Sequence, residues 1–222
     1  SDNSRKNLAT FSYNNQMKLW QSESGPLNMP GTSEELILAM ATRIIRDMRE
    51  MQCPAWIDWQ LAADNSPQWG LLVGKYSDPV NPVSKGFGYY IRTQFSRFIK
   101  PGYSIIDAKD PKALVALSPD EKELIIVISN ETADEEVHSF DLAAFKSAGP
   151  QAQRFRTREV NESYTEKVMK STITLDGTLF DYTAPALSVT TFVIPVEISA
   201  SQLAEGTYFI RNKACNLYVG IN

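Results

Sequence analysis

Between residues 17 and 102 the apolar residues change period three times, and this alternation constrains the fold more than any other feature of the chain. Residues 17–22 (MKLWQS) read as a short strand. Thr32-Ser33-Glu34-Glu35 then opens a helix, because the Thr32 hydroxyl and the Glu35 carboxylate are spaced to satisfy each other's free amides as a capping box. Glu34 and Glu35 are also favoured there by the helix dipole, which gives both a structural reason to exist. Ile37, Met40, Ala41, Ile44, Met48 and Met51 follow at helical spacing, and this stripe is expected in the core. Arg43, Arg46, Asp47 and Glu50 take the opposite face and are expected to meet solvent. Residues 55–61 (AWIDWQL) form a second strand, and a long loop over 62–84 carries Pro67, Pro79 and Pro82. Phe87, Tyr90, Ile91, Phe95, Phe98 and Ile99 mark a second helix, stopped by Pro101-Gly102. Strand, helix, strand, helix at these lengths is a parallel βαβα pattern. Two strands leave both edges and both faces uncovered, so such a sheet is expected to need further strands on its N-terminal side.

From Tyr103 the texture changes. Residues 112–117 and 123–129 are apolar strands around the turn Ser118-Pro119-Asp120. Further strands are expected over 137–142, 152–157, 170–175 and 187–195, punctuated by Gly149-Pro150 and Asp176-Gly177, with Phe180 and Tyr182 as core aromatics. Many short strands with turns between them indicate an antiparallel sandwich. After a linker-like stretch over 198–202, two short strands (207–212 and 217–221) flank Lys213-Ala214-Cys215-Asn216.

At 222 residues with 43% hydrophobic content, two compact units are the natural expectation, with no help needed from metals or disulfides. A net charge of -4 and the lack of long Lys/Arg runs give nucleic acid little to hold, so no nucleic-acid partner is expected. The strongly apolar run over 124–128 is too short to span a bilayer, and the polar first ten residues do not read as a signal peptide. Cys53 and Cys215 are far apart and are expected to be unpaired thiols. His138 is the one histidine, lies in an acidic stretch (Asp134, Glu135, Glu136), and reads as a surface residue. A multi-histidine metal centre is therefore not expected, no cofactor is called for, and carboxylates are left to do acid–base or nucleophilic work.

One carboxylate stands out. In KLWQSESGP a strand ends on Glu23, followed at once by Ser24, Gly25 and Pro26, small residues that leave room beside it. Strand alternation places Gln21 on the same side as Glu23, with Trp20 on the other side, packed under the helices. By the same rule Asp58 points away from Trp59 and reads as a structural hydrogen-bond partner.

LWQSESG, WIDWQL and KGFGYYIRTQFSRFIKPG together resemble the C-terminal part of glycoside hydrolase family 30, over roughly residues 18–196. The resemblance implies α/β plus all-β architecture: the last two βα units of a (β/α)8 TIM barrel over 1–102, joined to an antiparallel side β-sandwich over 103–198. Residues 199–222 are similar to the opening hairpin of a ricin-type β-trefoil lectin, without its Gln-x-Trp motif. The family match implies a retaining β-glycosidase acting on a β-linked oligo- or polysaccharide, with Glu23 as nucleophile. Gln21, Ser24 and Trp59 are then substrate-binding candidates, and Trp69, in the loop after the last barrel strand, joins them at the rim. Trp59 is placed to stack on a sugar ring, whose apolar face suits an indole. The family's acid/base glutamate sits in an Asn-Glu-Pro-like motif that does not occur here, and six barrel strands are lacking. The expectation is a piece of a larger secreted, periplasmic or cell-surface enzyme, inactive alone, with self-association through its exposed barrel strands. The alternative is a non-catalytic carbohydrate-binding module.

Overall fold

The computed structural model describes residues 3–25, 32–64, 66, 69–75, 77, 78, 80, 83–157, 169–198, 209–211 and 218–220. It opens on helix α1 (Asn3–Asn14), which the sequence reading did not foresee; none of its residues is buried. Strand β1 (Trp20–Ser24) follows, starting three residues and ending two residues later than expected, so that Glu23 lies inside the strand. Helix α2 (Ser33–Arg46) begins at the expected capping box: the Thr32 amide donates to Glu35 Oε2 at 2.7 Å and the Glu35 amide to Thr32 Oγ1 at 3.3 Å. A π-helical turn (Asp47–Met51) ends it, with Gln52 in the left-handed region. Strand β2 (Ala55–Asp58) pairs in parallel with β1, completing a βαβ unit.

The long loop after β2 is built rather than irregular. Strands β3 (Ala62–Asp64) and β4 (Leu72–Gly74) pair in parallel, and β5 (Ser84–Lys85) pairs antiparallel to β4. Helix α3 (Phe87–Ser96) then runs to a turn before Gly102, whose positive φ of 94° closes it.

The remaining strands are β6 (Ser104–Ile106), β7 (Ala113–Leu117), β8 (Glu123–Asn130), β9 (Glu136–Asp141), β10 (Ser147–Ala148), β11 (Gln151–Arg156), β12 (Met169–Thr174), β13 (Leu179–Ala184) and β14 (Ser188–Glu197). Seven form an antiparallel sheet in the order β12-β11-β14-β8-β7-β6, with β10 also on β14. Strands β9 and β13 pair separately. Both faces of the large sheet are used. Val115, Ile126, Ile128, Phe192 and Ile194 share a core with Phe140 and Tyr182 of the β9–β13 pair. Leu114, Ala116, Ile125, Val127 and Val189 meet Ile37, Ala41 and Ile45 of α2 and Ile91 and Phe95 of α3 on the other. Thr191 fixes this second junction, donating to the Gln94 backbone carbonyl at 2.9 Å and to Gln94 Oε1 at 2.6 Å, all within the buried interior. At the C-terminal end β15 (Phe209–Arg211) and β16 (Tyr218–Gly220) pair antiparallel, as the hairpin reading expects; Cys215 lies outside the described residues.

Four expectations about individual residues are corrected. His138 is buried, because alternation along β9 turns it inward with Phe140, and Asp110 Oδ2 meets its Nδ1 at 2.7 Å. Asp47 is also buried, since α1 and β2 cover that side of α2: it accepts from Arg5 Nε at 2.6 Å and Trp56 Nε1 at 2.9 Å. Arg43 is half-buried for the same kind of reason, turned toward β1. Trp20 is not packed under the helices; it is 59% exposed, because among the described residues β1 has one strand neighbour and nothing lies over that position. Cys53 is a buried free thiol as expected, and burial, then Asp47, pushes its pKa up.

Candidate active site

The C-terminal ends of β1 and β2 gather the residues that the sequence singled out. Pairing runs Trp20 to Ala55 and Gln21 to Trp56, then resumes at Ser24 with Asp58, so Ser22 and Glu23 together oppose Ile57. This is a bulge, a device common where a strand re-aims a side chain. It breaks the alternation that was to put Gln21 and Glu23 on one face. The Gln21 side chain instead turns along its own strand and donates from Nε2 to the Glu23 carbonyl at 2.7 Å. The Glu23 side chain is exposed, and Ser24 behind it is buried.

Backbone bonds then tie in the loop. Trp59 donates its amide to the Ser24 carbonyl at 2.7 Å, and Gln60 donates to the Trp69 carbonyl at 2.8 Å. The Trp59–Gln60 peptide is cis. Trp69 lies so close to Gly25 that a Cβ there would stand 2.8 Å from its ring carbon Cζ3 and 3.0 Å from the Trp59 carbonyl oxygen. Gly25 is thus required by close approach rather than by backbone angle. Trp59 is 48% exposed and Trp69 half-buried, so Ser24, Gly25, the Trp59 backbone and the Trp69 indole are held together next to Glu23.

Beneath lies a polar layer whose role the sequence did not disclose. Arg43 Nη1 donates to the Gly25 carbonyl at 3.1 Å and to Ser24 Oγ at 3.3 Å, fixing the residues after Glu23 from the helix side. Arg92 of α3 pairs with Asp58, and its guanidinium lies 5.5 Å from the Trp56 ring centroid. Burial lowers the Arg92 pKa while Asp58 opposes that shift, so the carboxylate is what makes a charged Arg92 tolerable there. Asp58 is therefore a structural partner, as alternation suggested. The missed residues carried a faint signal, basic side chains at helical positions flanking apolar ones, which is also the signature of an ordinary solvent face. Among the described residues no group of three or more His, Cys, Asp or Glu is arranged to hold a metal ion.

An exposed carboxylate near a strand end, followed by small residues with the Trp69 ring against them and an exposed tryptophan, Trp59, at the neighbouring strand end, is suited to a ligand having polar edges and apolar faces, as a sugar ring has. No protein-family model matches the chain. Over 132 residues, 60% of the chain, it is 30% identical to the endo-β-1,6-galactanase of Hypocrea rufa, covering 26% of that protein. It superposes on the glycoside hydrolase family 30 subfamily 8 xylanase of Clostridium acetobutylicum with a TM-score of 0.64 at 22% identity, over 84% of the chain and 44% of the xylanase. For the family 30 endoxylanase of Clostridium papyrosolvens the TM-score is 0.63 at 21% identity, over 86% of the chain and 46% of the enzyme. The chain thus spans about a quarter of the galactanase and less than half of either xylanase. It is homologous in sequence to a glycan-cleaving hydrolase, and its fold is similar to part of a family 30 glycoside hydrolase.

Proposed function

We propose that the chain is the C-terminal part of a retaining β-glycosidase acting on a β-linked polysaccharide, with Glu23 as its nucleophile. The observation that carries this reading is the bulged strand end, where Glu23 stands exposed beside Ser24, Gly25, Trp59 and Trp69. A carboxylate fixed at the C-terminal end of a parallel strand is where a (β/α)8 barrel keeps its chemistry. The Glu23 carboxylate attacks the anomeric carbon as the glycosidic bond breaks, and a second carboxylic acid gives its proton to the leaving oxygen. Water, activated by that second group, then displaces the sugar from Glu23. Trp59 stacks on the bound ring and Trp69 closes the rim. The resemblance to the galactanase favours β-1,6-galactan as substrate, and the two β-sheets sharing a core are read as the side β-sandwich of such an enzyme.

The second carboxyl is proposed to come from a longer protein, so this chain alone hydrolyses nothing. With the longer protein, release of reducing sugar from β-1,6-galactan is expected, and Glu23→Gln should lower it by roughly a thousand-fold or more. Unchanged hydrolysis by the variant contradicts the assignment. Met17, Trp20, Ile57 and Leu61 leave the β1–β2 unit with apolar side chains in water, which favours self-association of the isolated chain. Sedimentation velocity should show concentration-dependent dimers that Trp20→Lys weakens; a monomer at every concentration rules this out. The second reading, a carbohydrate-binding module without chemistry, is favoured by the same exposed Trp59, and predicts galactan binding that Glu23→Gln leaves intact in a longer protein devoid of hydrolysis.

A further inference from the structure

A second cleft opens where the end of α3 meets the large antiparallel sheet, about 210 Å³ in volume and lined by no residue of β1, β2 or the Trp69 loop. Its floor is apolar, made by the half-buried Phe98 and Val193 of β14, with Ile125 of β8 and Phe155 of β11 buried beneath them. Its rim is cationic: Arg97, Lys100 and Lys170 all border it and all are exposed. The Arg97 guanidinium lies over two rings at once, 5.4 Å from the Phe98 centroid and 5.3 Å from that of Phe155. Lys170 Nζ lies 5.7 Å from the Phe155 centroid. Such contacts hold a cation in place without neutralising it. Among the described residues none of the three has an ion-pair partner. The one carboxylate in the lining, Glu123, is engaged by the Tyr103 hydroxyl at 3.3 Å. Burial, then Glu123, pushes the Tyr103 pKa up, so the phenol stays a hydrogen-bond donor. A local excess of positive charge thus sits over an apolar floor in a chain whose net charge is -4.

We propose that this cleft binds a carboxylate-bearing sugar, a hexuronate residue of an acidic glycan, apart from the site around Glu23. The planar fork of Arg97 suits a carboxylate, and Lys100 and Lys170, also in the lining, add charge. Phe98, Val193 and the methylene stems of the lysines offer the apolar surface that a pyranose face requires. The Gln153 amide, also in the lining, is available to sugar hydroxyls, and the Tyr103 oxygen, its proton given to Glu123, can still accept from one. An inorganic anion would meet the same charges but leave the apolar floor unused. That the anion is a sugar acid rests on the glycosidase reading; that the cleft takes an anion rests on its own geometry.

The test uses the chain as it stands, titrated with trigalacturonic acid, neutral β-1,6-galactotriose and inorganic phosphate, while the amide resonances of Lys100, Tyr103 and Lys170 are followed by NMR. Saturable shifts are expected with trigalacturonic acid, at least about tenfold tighter than with either other probe and weakened by added salt. Lys100→Gln with Lys170→Gln, both at exposed positions and so compatible with folding, should lose at least about tenfold. Phosphate binding as tightly as the uronate reduces the cleft to a general anion site and overturns the proposal. Equal binding of the neutral trisaccharide, no saturable shift, or unchanged affinity in the double variant overturns it as well. No bond is cleaved in this measurement. Hydrolysis by the longer protein without uronate binding sinks this cleft alone, and the reverse result sinks the glycosidase reading alone.

Discussion

The Trp59 amide donates to the Ser24 carbonyl at 2.7 Å, which fastens the residue after Asp58 on β2 to the residue after Glu23 on β1. The two strand ends therefore act as one unit, and a change on either side is felt at both. Trp69 joins through Gly25, and Arg43 braces the next carbonyl, that of Gly25, from α2.

Gly25→Ala is expected to disturb this unit. The new methyl group would stand 2.8 Å from a Trp69 ring carbon and 3.0 Å from a backbone oxygen that cannot retreat. Overpacking of this kind costs about 1–3 kcal/mol. Urea unfolding should show that loss, and tryptophan fluorescence should report a more exposed Trp69. Unaltered stability and emission would show that the contact is not tight.

Asp58 and Arg92 should behave as a buried pair, since their side chains are 14% and 12% exposed. Asp58→Ala leaves a guanidinium without its carboxylate, at a cost of about 3–5 kcal/mol. Asp58→Ala combined with Arg92→Met should be less damaging than the sum of the single changes. A double-mutant cycle by urea unfolding measures the coupling, and strict additivity contradicts it.

Acid sensitivity should trace in part to Asp110. Its hydrogen bond to His138 holds its carboxyl below the ordinary value of 3.8, against the opposing effect of burial. A folded-state pKa below the unfolded one gives stability that is complete above the ordinary carboxyl value and lost as pH falls through the lowered value. Asp110→Asn should therefore flatten the acid limb of the stability–pH curve. An acid limb of unchanged slope in that variant removes Asp110 from the account.

What the sequence discloses about this fold follows from how local each signal is. The α2 capping box needs only Thr32 and Glu35, four positions spanned by one turn, and the structure contains it in full. The hairpin β7–β8 and the turn at Ser118 are legible for the same reason. Asp47 and Arg43 are not, because helical periodicity identifies two faces but not what covers the polar one; α1 and β1 do so here. The β1 bulge is equally invisible, since alternation assumes an unbroken register. Glu23 and Gly25 could be singled out along the chain, whereas the approach of Trp69 to Gly25 depends on a loop whose short strands carry no clear period.

The central claim is that the Glu23 carboxylate forms a bond to the anomeric carbon. A 2-deoxy-2-fluoro β-glycoside with a good leaving group, reacted with the longer protein, would stall that intermediate long enough for peptide mass mapping. A single glycosyl adduct on the peptide containing Gln21 to Gly25, assigned to Glu23 and absent in Glu23→Gln, is the predicted result. An adduct on another carboxylate, in a protein that hydrolyses the substrate, contradicts the account.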